Sequence, residues 1–94
     1  MNALTRTIVN DLKAHIEFHG NCSVKLQMDQ CNQTGEFLGY FAWANREASD
    51  SANIRSNTVA TAWDEAPIAC LDKLAASLGV ELEPCPALEL ARVA

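Results

Sequence analysis

The sequence has few of the residues that break or cross-link a chain: 4 glycines, 3 prolines and 4 cysteines in 94 residues. This composition excludes collagen-like, low-complexity and disulfide-scaffold classes. No run of about 18 apolar residues occurs, so a membrane-spanning helix is not predicted. The length suits one small domain. We predict a single domain over 1–94, with a core at about 4–79 and a C-terminal extension at 80–94.

Basic residues are also scarce, 7 against 12 acidic ones, and the formal net charge is −5. A protein that neutralises nucleic-acid phosphates needs the opposite balance, so direct nucleic-acid binding is not predicted. The charge is uneven, because residues 64–94 carry six acids and two bases while residues 1–63 are close to neutral. A solvated helix face is the commoner explanation, and a surface that presents carboxylates to a basic partner is the functional one.

The cysteines and the N-terminus bear on compartment and cofactors. Asp11 and earlier polar residues interrupt the segment that a secretory signal would need, so we expect a cytoplasmic protein with free thiols. His15, His19, Cys22 and Cys31 follow one another at spacings that suggest a zinc site. However, Cys22 and Cys31 would lie about 30 Å apart at the two ends of one strand. No metal and no other cofactor is therefore predicted.

Hydrophobic periodicity predicts two helices and three strands. In chain order these are a helix over Leu4–His19 ended by Gly20, strands over Ser23–Gln30, Phe37–Ala44 and Ile54–Trp63, and a helix that Gly79 ends. The first helix has an apolar face made of Leu4, Ile8, Val9, Leu12, Ile16 and Phe18. The polar stretch Asn45–Asn53 is interpreted as a loop. We predict an α+β fold, α-β-β-β-α, with a three-stranded antiparallel sheet and two helices packed on one face.

Two local patterns raise questions of function. Asp64 is predicted to be the N-cap of the second helix, with Glu65 in its first turn. The middle strand has two apolar rows instead of one polar face, which are Phe37, Phe41 and Trp43, and Leu38, Tyr40 and Ala42. We expect one row to be covered by the C-terminal extension, or else to be open as a protein-contact or dimer surface.

The order α-β-β-β-α is also that of the double-stranded-RNA-binding domain, but Asp64 and Glu65 stand where that domain has phosphate-binding lysines. The segment Ala60–Leu74 more closely resembles small phage-encoded proteins described as an α-β-α sandwich domain, which contain a segment like A-x-T-A-P-x-A-I-C-x-A-A-L. The matching residues are Ala66, Pro67, Ala69, Cys70 and Leu74, and the pattern departs at Asp72 and Lys73. The resemblance implies a mobile-element origin, action on host machinery and no catalytic residues to carry over.

These observations favour a protein that is not an enzyme. Cys70 with His15 or His19 is a conceivable nucleophile–base pair, but a small buried hydrophobe is the ordinary role for such a cysteine. We predict a phage protein that inhibits a host defence complex by protein–protein contact, of the anti-CRISPR kind, because CRISPR surveillance complexes hold nucleic acid in basic grooves. The alternative is a phage accessory or regulatory protein of another host process, as a homodimer. The predicted contact residues are Asp64, Glu65, Asp72 and Tyr40.

Overall fold

The computed structural model describes residues 1–50 and 53–82 of the chain. Its elements are α1 (Ala3–Gly20), β1 (Ser23–Gln30), β2 (Phe37–Asp50), β3 (Asn53–Asp64) and α2 (Pro67–Leu78). The strands form one antiparallel sheet in the order β1-β2-β3. Both helices pack on the same face of this sheet, and the predicted α+β fold is confirmed. None of the described helices is long and apolar enough to cross a membrane.

The predicted loop over Asn45–Asn53 is wrong, because β2 continues to Asp50 and β3 begins at Asn53. The partner strand β1 ends its pairing with β2 at Asn45, so beyond this point β2 and β3 form a two-stranded ribbon. This ribbon is exposed at every residue whose exposure the structure describes, which are Arg46, Glu47, Ser56, Asn57 and Thr58. Its polar composition therefore reflects exposure to water and not the absence of strand structure.

The start of α1 is capped by Asn2, whose side chain accepts a hydrogen bond of 2.8 Å from the Thr5 backbone N–H. The predicted apolar face of α1 is correct at its centre and wrong at its ends. Leu4 is 56% exposed and Phe18 is 82% exposed, while the side chains between them that face the sheet are buried. The buried face of α1 is therefore smaller than the apolar face predicted from the sequence, because it does not include Leu4 and Phe18.

The end of α1 differs from the prediction at Gly20. Gly20 is inside the helix and buried, and Asn21 takes the left-handed conformation with φ of 50° and donates its N–H to the Glu17 carbonyl. Asn tolerates this conformation better than most residues. Gly20 packs closely against Cys22, since a Cβ there would lie 3.2 Å from the Cys22 Sγ.

The core lies between the helices and the sheet. Its buried side chains are Ile8, Val9, Leu12, Ile16, Val24, Ala42, Ala44, Ile68, Cys70, Leu71, Leu74 and Ala75. On the sheet side the residues are mostly alanines, which allow α2 to lie close to the strands. Val80 and Leu82 also pack against this core, so the chain after α2 begins on the helix side of the sheet. The rest of the predicted extension, 83–94, lies outside the described residues.

Candidate functional site

The segment between β3 and α2 is organised by Asp64. Asp64 is the last residue of β3 and not the N-cap of α2, which is Ala66 with no side-chain cap. The Asp64 carboxylate accepts a hydrogen bond of 2.9 Å from the Ala66 backbone N–H and forms a salt bridge of 2.7 Å with the Lys73 ammonium group. Pro67 takes the first helical position, where its missing N–H is of no consequence, and this delays the start of the helix. Glu65 consequently precedes α2 instead of lying in its first turn.

The Asp64 carboxylate is held both in position and in its charged form. The hydrogen bond from Lys73, followed by that from the Ala66 N–H, lowers the pKa of Asp64 below its ordinary value of 3.8. Lys73 also donates to the Trp63 carbonyl at 3.3 Å, which fixes the ammonium group beside the strand end. The ammonium group partly neutralises Asp64, so this carboxylate contributes less to the surface field than its formal charge suggests.

The structure brings three of the four predicted contact residues together. Tyr40 on β2 pairs with Asp64 on β3, and Glu65 follows directly. The Tyr40 ring is half-buried on the helix side and meets the Phe37 ring edge-on at 5.2 Å between centroids. The fourth predicted contact residue, Asp72, lies within α2 and is half-buried.

Two further carboxylates, which the sequence analysis did not select, lie at the same end of the sheet. Asp29 pairs with Gly39 near the end of β1, and Glu36 immediately precedes β2. In an antiparallel meander the end of the first strand and the end of the third strand share one end of the sheet. The predicted order of the strands would therefore have been enough to place Asp29 and Glu36 at the same end of the sheet as Asp64 and Glu65. We call the set Asp29, Glu36, Asp64 and Glu65 the acidic end.

Exposed apolar side chains accompany the acidic end. Phe37 is 45% exposed and Trp63 is 42% exposed. The Trp63 indole N–H donates to the Asp29 carboxylate at 3.2 Å, which fixes both side chains. Large aromatic side chains beside charged groups are the composition of protein-contact surfaces.

The sheet face opposite the helices is also aromatic. Phe41 and Trp43 stack with centroids 5.6 Å apart and an interplanar angle of 30°. A shallow depression of about 300 Å³ beside them is lined by Gln27, Phe41, Trp43, Thr58 and Thr61. We call this surface the open face. Tyr40 lies on the other side of the sheet and is not part of it, and the predicted cover of one row by the extension falls on residues outside the described part of the chain.

The cysteine and histidine candidates lie apart. Cys70 is buried, its Sγ donates to the Tyr40 and Ala62 carbonyls at 3.5 Å, and burial together with the Asp64 charge raises its pKa. His15 lies on α1 with its Nε2 2.9 Å from the Glu81 carbonyl oxygen, and the His19 ring is beside it, with centroids 4.3 Å apart. Within residues 1–50 and 53–82, no three His, Cys, Asp or Glu side chains are placed to hold a metal ion.

Comparisons of the chain with protein-family models, with curated proteins and with solved structures found no match.

Proposed function

We propose that this is a non-enzymatic phage protein that inhibits a host defence complex, in the host cytoplasm, by docking its acidic end on a CRISPR surveillance complex. The observation that carries the proposal is that four carboxylates lie at one end of the sheet, beside exposed aromatic side chains. The nucleic-acid channel of such a complex is positively charged, and a small acidic domain is complementary to it. The same charge would repel free DNA or RNA.

Pre-organisation supports this role for the acidic end. Asp64 is held by Ala66 and Lys73, and Asp29 is held by Trp63, before any partner arrives. Side chains that are already ordered lose less conformational entropy on binding. Glu36 and Glu65 are exposed and supply charge that steers the approach of a basic partner.

An enzymatic role for Cys70 is disfavoured by its surroundings. The thiol is buried against two backbone carbonyls, and the pKa is raised, so the nucleophilic thiolate is suppressed at neutral pH. His15 is engaged on the far side of the helix layer with the Glu81 carbonyl. Cys70 is better explained as a small core residue that lets α2 approach the sheet.

The test of function is a plasmid-interference assay in bacteria that carry one active CRISPR system each. Expression of the protein should raise the transformation efficiency of a targeted plasmid in at least one system and leave an untargeted plasmid unaffected. Affinity purification of the tagged protein from that strain should recover subunits of the surveillance complex. If no system is inhibited, or if the tagged protein inhibits without recovering these subunits, direct binding to a surveillance complex is wrong.

The test of the surface uses the double variant Glu36→Lys with Glu65→Lys in the inhibited system. Both side chains are exposed, so the fold should be retained. Binding to the purified complex should weaken at least tenfold at low ionic strength and less at high ionic strength, because the attraction is screened. The control is Asp11→Lys with Glu47→Lys, which makes the same charge change on exposed residues elsewhere. Equal loss in both double variants would exclude the acidic end as the contact.

A further inference from the structure

On β1 the open face carries two opposite charges in a symmetric arrangement. On β1, Lys25, Gln27 and Asp29 lie on this face, and the strand register places them opposite Trp43, Phe41 and Gly39 of β2 respectively. The row at Gln27 and Phe41 continues to Trp63 on β3. Lys25 and Asp29 therefore lie one row above and one row below the central row, about 13 Å apart along the strand.

From this arrangement we propose that the open face is the contact surface of a homodimer. A two-fold axis that crosses the strands at the central row places β1 over β1 of the second copy and inverts the rows. Lys25 then faces Asp29 of the second copy, and Asp29 faces its Lys25. The face is thus complementary in charge to a copy of itself, as an isologous interface requires.

The same operation also brings aromatic side chains of the two copies together. Trp43, in the upper row, comes to lie over Gly39 of the second copy, which has no side chain of its own. The floor at that point is the Trp63 indole, since a Cβ on Gly39 would lie 2.5 Å from its ring. Trp43 therefore meets the Trp63 indole of the second copy, and contacts between aromatic rings add to the burial of apolar surface.

The size of the open face sets the strength of the dimer. Three strands about 4.8 Å apart give a face of roughly 15 Å by 20 Å, which is smaller than the roughly 800 Å² per partner of stable complexes. We therefore expect weak, transient association. The two-fold axis sends the two acidic ends to opposite ends of the dimer, so Glu36 and Glu65 of each copy remain accessible to a partner.

The homodimer is tested with the purified protein alone, by sedimentation velocity from about 1 μM to 1 mM. We expect a monomer–dimer equilibrium. Lys25→Asp should weaken it roughly tenfold, because a carboxylate then faces Asp29 of the second copy twice, and Asp29→Lys should weaken it similarly. The combined exchange of both residues should restore at least part of the affinity. Arg6→Asp, an equal charge change on an exposed residue of α1, should have no effect.

A second measurement uses the intrinsic tryptophan fluorescence of the protein. The chain has two tryptophans, Trp43 and Trp63, and the emission of the unaltered protein should shift to shorter wavelength as the concentration rises through the dissociation constant. A protein that stays monomeric to 1 mM, or a dimer whose affinity does not recover in the exchanged variant, overturns the proposal. Sedimentation of the protein alone involves no host complex, so its outcome is independent of the docking of the acidic end.

Discussion

The two faces of the sheet differ in the size of the side chains that they bury: the helix side buries small side chains, and the opposite face leaves large aromatic ones partly exposed. On the helix side, Ala42 and Ala44 are fully buried although their side chains are single methyl groups. On the open face, the same strand presents Phe41 and Trp43, which remain partly exposed. The small side chains let the helices supply most of the core volume, whereas the large ones cover the strands and form a surface suited to contact. Alternation within one strand therefore separates a packing role from a binding role.

The largest expected effect on stability distinguishes a large-to-alanine substitution in the core from one on the open face. Leu71→Ala should lower the free energy of unfolding by about 3 kcal/mol, because it removes a fully buried side chain of α2 and leaves a cavity. Trp43→Ala should lower it by less, about 2 kcal/mol, under conditions where the protein is monomeric, since its indole is stacked on Phe41 but remains partly in water. Urea denaturation at about 1 μM protein measures both. Equal losses for the two variants would contradict the distinction between the faces.

Most elements of the fold could be predicted because their patterns are local. Alternation in Ser23–Gln30 gave the bounds of β1 as observed, and Gly79 ends α2 with φ of 71°. Errors arose where a residue has two physical explanations. Gly20 was interpreted as a helix end, whereas it lies inside α1 and packs closely against Cys22. The polar ribbon after Asn45 was interpreted as a loop, because polarity reports exposure and not conformation.

The candidate site was predicted only in part, since its members come together through topology. Asp64 and Glu65 are adjacent in sequence and were found from the excess of acids in the last third of the chain. Asp29 and Glu36 belong to a segment with almost no net charge, and only the meander brings them to the same end. Lys73, which neutralises part of Asp64, lies nine residues away and reaches it through α2.

A smaller effect is expected where the open face meets the end of β3. In Gly39→Ala the new Cβ would lie 2.5 Å from the Trp63 ring and 2.9 Å from the Asp64 carbonyl oxygen. The strands must shift, and we expect a loss of about 2 kcal/mol in the free energy of unfolding. In a Trp63→Ala background the loss should shrink and not vanish, because the backbone contact with Asp64 persists. Full rescue by Trp63→Ala would show that the indole alone restricts this position.

The smallest effect concerns the exposed salt bridge at the acidic end. The pKa of Asp64 is lowered by Lys73 and by the Ala66 N–H. The charged Asp64 carboxylate therefore stabilises the folded state fully above pH 3.8, its ordinary pKa. This stabilisation is lost as the pH falls through the lower pKa of Asp64 in the folded state. Lys73→Met should raise the pKa of Asp64 towards 3.8, as measured by NMR titration, and should cost at most about 1 kcal/mol at pH 7 because the pair is exposed.

Two comparisons make the Lys73→Met titration decisive. Lys25→Met removes the same charge from the open face and should leave the pKa of Asp64 unchanged, because Lys25 lies far along β1 from the end of β3. Lys73→Met should not restore the ordinary value completely, since the hydrogen bond from the Ala66 N–H to Asp64 remains. If Lys73→Met leaves the pKa of Asp64 where it was, the salt bridge does not hold this carboxylate. The position of the Asp64 carboxylate would then rest on the hydrogen bond from the Ala66 N–H alone.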